Sequence, residues 1–100
     1  MNNITKVSEI TSVDIADYIH LDEVTDTETN TLNTLIGIAK QFIISYTGRT
    51  EEELDNYQDF VIVVLVLVQD MWDNRTLYVD SRNLNYVVES ILGLHSVNLL

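Results

Sequence analysis

One hundred residues, 46% of them hydrophobic, can bury a single modest core, and that content excludes an intrinsically disordered chain. Sixteen acidic against five basic residues give a formal charge of −11, which argues against tight binding to nucleic acid or to an anionic membrane surface. There is no cysteine, which excludes a disulfide framework and a thiolate metal site.

Residues 1–9 carry no clear period and are expected to form a flexible arm. The opening MNNITKVSEI has one lysine and no apolar stretch of a secretory leader, so the protein is expected to be made and used inside a cell. The sequons at Asn3 and Asn74 then read as accidents of composition. Thr11 as N-cap places Asp14 at N3, and Ile10 and Ile15 can staple that entry, so the spacing predicts a short helix over 11–20. An acidic turn follows, with Asp22, Glu23, Asp26 and Glu28. It is not a calcium loop of the EF-hand kind. Counted from Asp22, the positions that need Gly and a bidentate Glu hold Thr27 and Asn33.

The second helix has the clearest period. Leu32, Leu35, Ile36, Ala39, Phe42, Ile43 and Tyr46 make one apolar stripe, and Gly48 supplies a left-handed stop. Ile38 and Ile44 lie off that stripe, and a second apolar flank points to another neighbour, in a domain this small another subunit.

Residues 60–68 read FVIVVLVLV, nine apolar residues without a break. The run is too short to cross a bilayer as a helix, which takes about 20 residues. Its valines favour a strand by propensity. No other stretch offers a strand to pair with, however, and unpaired backbone is costly. The run is therefore expected to be a central helix over about 56–75, entered at Asp55 or Asn56. Leu77, Tyr78 and Val79 follow in a short extended arm or loop at about 76–82. Leu84, Val87, Val88, Ile91 and Leu92 give a last amphipathic helix closed by Gly93. The tail 93–100 stays apolar to Leu99 and Leu100, and is expected to dock on its own or another subunit. The fold class is all-α: a small bundle of four helices around the central one, in a single domain over 1–100.

No phosphate-binding glycine loop, nucleophile elbow or HExxH pattern occurs. His20 lies near Asp22 and Glu23, but a His closing a helix is favoured by the dipole and is the simpler account. No serine has a neighbouring His, and no carboxylate sits on an apolar face where burial would tune it. Neither an enzyme nor a cofactor is expected.

The order of elements resembles a known family. A Thr-capped helix ending in Tyr18-Ile19-His20-Leu21-Asp22 leads into an acidic turn. A longer helix closes on Tyr46-Thr47-Gly48-Arg49, and an apolar helix closes on Met71-Trp72-Asp73-Asn74-Arg75. Over about residues 10–92 this is similar to the head–tail connector family of tailed bacteriophages, the small helical adaptors often labelled DNA-packaging proteins. Members commonly begin the third helix with Leu-Pro, where this chain has Leu54-Asp55.

The resemblance implies a structural virion protein, assembled in the host cytoplasm and ending at the head–tail junction. Copies would form a ring under the portal protein and carry the next head-completion or tail adaptor. DNA would pass through the channel without tight binding, and no membrane would be involved. Tyr46, Gly48, Arg49, Trp72, Asn74 and Arg75 are the matching positions. The aromatics fit core packing as well as an interface, and Arg75 fits a solvated partner of the helix dipole. Candidate interface residues are Ile38, Ile44, Arg49, Trp72, Arg75, Leu77, Tyr78, Val79, Leu99 and Leu100. Candidate channel carboxylates are Asp22, Glu23, Asp26 and Glu28. From other classes, an acidic helical protein could imitate DNA and inhibit a nucleic-acid-binding protein, or be a small metal-dependent enzyme.

Overall fold

A computed structural model describes residues 4–97. Among the described residues there are four α-helices, two 3-10 turns and no strand. The helices are α1 (Ser12–Tyr18), α2 (Asp26–Thr47), α3 (Asp59–Asn74) and α4 (Tyr86–His95). The radius of gyration is 13.1 Å, against about 13 Å for a compact chain of this length. No described helix is long and apolar enough to cross a membrane.

Two capping boxes start the first half of the bundle. The Thr11 hydroxyl accepts from the Asp14 N–H while the Asp14 carboxylate accepts from the Thr11 N–H. Thr25 and Glu28 repeat the device at the start of α2, at 3.0 and 3.1 Å. α2 therefore begins at Asp26, within the acidic turn and ahead of the apolar stripe. It ends as the sequence indicates, with Gly48 at φ 74° and its N–H on the Ile44 carbonyl.

α3 is the centre of the fold. Phe60, Val61, Val63, Val64, Leu65, Leu67, Val68 and Met71 are all buried. Burying each such side chain stabilises by roughly 1.5–3 kcal/mol, whereas a valine in a helix loses under about 0.7 kcal/mol to alanine. Packing decides the segment, and it does so as a helix. The stretch is not helical from 56, however. A 3-10 turn occupies Glu52–Asn56, Tyr57 is extended (φ −125°, ψ 103°), and α3 starts after Gln58 without a side-chain cap. Nor is α3 covered on every side, because Ile62 is 50% exposed.

Two expectations at the chain's ends are corrected. Residues 4–9 are not a free arm: Val7 is buried and Val7–Glu9 form a 3-10 turn. The Asp55 carboxylate fixes that turn, accepting from the Ser8 N–H at 2.9 Å and its hydroxyl at 2.7 Å. Gly93 does not close α4, which runs on to His95. Residues 1–3 and 98–100, with Leu99 and Leu100, lie outside the described residues.

Candidate functional site

The richest polar cluster lies where α2 ends, α3 begins and α4 finishes. Thr47 is the one buried polar residue among those described. Its hydroxyl donates to the Ile43 carbonyl at 2.7 Å, and its own carbonyl accepts from the Val97 N–H at 2.7 Å. The left-handed Gly48 turns the chain so that Arg49 points back over the bundle end. There its Nε donates to the His95 carbonyl at 2.6 Å, and its guanidinium lies 4.7 Å from the Tyr57 ring centre. A second guanidinium nitrogen meets Glu53 at 3.3 Å. Hydrogen bonds from Thr50, first through its backbone N–H, hold the Glu53 carboxyl below its ordinary value, and Arg49 adds to this.

The His95 ring completes the cluster. Its Nε2 meets Asp59 at 2.9 Å, and the ring lies 4.2 Å from Tyr57 and 5.1 Å from Phe60, centre to centre. The arrangement is a clasp that pins the end of α4 to the α2–α3 corner. Arg49 thus lies among intramolecular partners. His95 and Tyr57 could not be singled out from sequence, because nothing local shows that residues 46 positions apart meet. The one signal was a His beyond Gly93 in what proves to be the last turn of α4.

The other end of α3 is more open. Arg75 caps it in the left-handed conformation at φ 56°. Trp72 and Arg75 line a cleft of about 310 Å³ with Thr27, Leu35 and Leu77. Around the corner, Asp70, Tyr78, Val79 and Asp80 border a second cleft of about 320 Å³. Partial burial pushes the Asp70 carboxyl above its ordinary value, and Asp73 adds a like charge. Asp80 is held down by the Asn83 side chain, then by the Arg82 N–H, and these bonds fold the loop before α4 into a turn.

The remaining candidates scatter over the surface. Ile38, Ile44, Trp72 and Val79 are half-buried against the core, whereas Leu77 and Tyr78 are about two-thirds exposed. Asp22, Glu23 and Asp26 are exposed, while Glu28 is committed to the α2 cap. Sequence reasoning missed the outer face of α4, where Tyr86 is 81% and Leu94 76% exposed. Their apolar character had been visible, but a helix's outward side is fixed only by what it packs against.

Among the described residues no group of three or more His, Cys, Asp or Glu is placed to hold a metal ion, and no buried side-chain polar atom lacks a partner. The surface also carries exposed apolar side chains, among them Leu77, Tyr78, Tyr86, Val87 and Leu94. Compared with known proteins, the chain matches no family model, no curated sequence and no solved structure.

Proposed function

We propose that this chain is a non-catalytic subunit of a tailed-bacteriophage head–tail connector, assembled as a ring between the portal protein and the next adaptor. The observation that carries the reading is the pair of motifs Tyr46-Thr47-Gly48-Arg49 and Trp72-Asp73-Asn74-Arg75. Each sits at a helix end closed in the left-handed conformation. Exposed Leu77, Tyr78, Tyr86, Val87 and Leu94 support it, because a ring needs adhesive surface beyond what one subunit buries. The charge supports it too. A conduit wall must not hold phosphates, and Asp22, Glu23 and Asp26 would repel DNA in a lumen. Assembly would take place in the host cytoplasm and the product would sit in the virion.

Native mass spectrometry with negative-stain imaging, on the protein alone and with portal protein, tests the proposal. Large rings or a portal-bound complex are expected. A strictly monomeric protein that also fails to bind portal overturns it, and a monomer that displaces DNA from a DNA-binding enzyme would favour imitation of DNA instead. For the lumen, the triple variant D22K/E23K/D26K should impair DNA passage; unchanged infectivity would remove those carboxylates from the channel wall.

A further inference from the structure

Two glycines sit inside helices for no reason found in their own subunit. Gly37 in α2 and Gly93 in α4 are both exposed, and a Cβ built on either meets nothing within 4 Å. Neither adopts a positive φ, in contrast to Gly48. Glycine inside a helix is less stable than alanine, so each position forgoes stability that the fold would let it keep. A glycine that the chain's own geometry does not need leaves room for close approach by another backbone.

The faces around these glycines share a second property, a shortage of charge. Asn33, Thr34 and Gln41 surround Gly37 on the outward side of α2, and across residues 29–49 Lys40 and Arg49 are the only formal charges. Arg49 is spent in the clasp. Tyr86, Ser90 and Leu94 surround Gly93 on the outward side of α4, whose one carboxylate is Glu89. In a chain with sixteen acidic residues, two nearly neutral exposed helix faces depart from the composition. Each face carries one edge charge, Lys40 on α2, which also acts on Asp55 of its own subunit, and Glu89 on α4, and the two are opposite in sign.

We propose that the outer face of α4 in one copy of this chain packs against the outer face of α2 in the next, with Gly93 and Gly37 at the closest approach and Glu89 opposite Lys40. The inference rests on the ring reading above and gives it an interface. The occupant is a second copy because the complementary charge and the matching bare helix are both found on this chain. The two faces are different surfaces of one subunit, so the contact is head-to-tail, the kind that closes into a ring when its rotation permits. Two copies at −11 each repel, and neutral faces are where that repulsion is least.

The test separates this interface from the ring itself. Gly37→Leu and Gly93→Leu fill space that is open in the isolated subunit, so helicity by circular dichroism and Tm should hold or rise. Assembly, followed by sedimentation and native mass spectrometry with and without portal protein, should weaken at least tenfold. Lys40→Glu and Glu89→Lys should each weaken assembly, and the double variant should recover it. The chain has no cysteine, so Gln41→Cys mixed with Ser90→Cys should give a disulfide-linked dimer that neither variant gives alone. Should a leucine variant fail to fold, the cysteine mixture decides. Wild-type rings that tolerate both leucines, or form without the mixed crosslink, overturn this interface and leave the ring standing. A wild-type protein that never assembles, alone or on portal, overturns both.

Discussion

Asp55 shows how one exposed carboxylate can organise a chain end. It accepts two hydrogen bonds from Ser8, and these hold its pKa below the ordinary Asp value of about 3.9. A depressed folded-state pKa means stability that is present above the ordinary value and lost as the pH falls below about 4 through the folded one. Asp55→Ala should therefore cost about 1 kcal/mol at neutral pH, discounted for solvent exposure, and the penalty should vanish at strongly acidic pH. Urea melts of both proteins across the acid limb check this, and a penalty independent of pH would contradict it. The tie between Ser8 and Asp55 spans 47 positions and has no local signature. That is why residues 4–9 read as loose from sequence, where only the absence of a period was visible.

The helices divide according to what set them. α1 and the end of α2 were legible because caps and a glycine stop are local devices. The start of α2 was equally local: Thr25 and Glu28 have the same spacing as Thr11 and Asp14. It escaped notice because the capped turn precedes any apolar stripe. α3 was legible only by elimination, and its β-branched content marks a helix made by its surroundings. Val64 is fully buried, so Val64→Ala should lose about 2 kcal/mol in a denaturant melt, the burial and cavity terms outweighing the helix-propensity gain. Val66 is half-buried, and Val66→Ala should cost under about 1 kcal/mol. Equal losses would mean that the two sites are equally buried and that α3 is turned differently in the bundle. The entry to α3 was misplaced because the break at Tyr57 follows from the clasp around its ring, not from a breaker residue.

For the whole molecule, charge governs association more than fold. Exposed charges at −11 repel over about 10 Å at 0.1 M salt and over about 30 Å at 0.01 M. The proposed self-association should therefore strengthen as salt rises towards physiological strength, and sedimentation at a series of ionic strengths measures it. Weakening across that range would instead mean that the contact is held mainly by ion pairs. The all-helical class and the α2 side of the core were readable from periodicity, and the α3 side by the lack of a partner strand. The clasp and the outer face of α4 were not, because each depends on segments distant in sequence meeting.

The clasp also sets an order of events. Arg49 and His95 are 46 residues apart, and closing a flexible loop of that size costs on the order of 3 kcal/mol before any contact repays it. α2 and α3 are joined by a far shorter connection and can pair first. α4 then docks onto a finished surface, burying Val88 and Leu92 where α3 buries eight side chains. An element held by two buried side chains and the clasp can open locally while the rest stays folded. In the proposed ring, α4 could then swing out while α2 and α3 stay paired, so that a subunit enters or leaves the closed circle without unfolding.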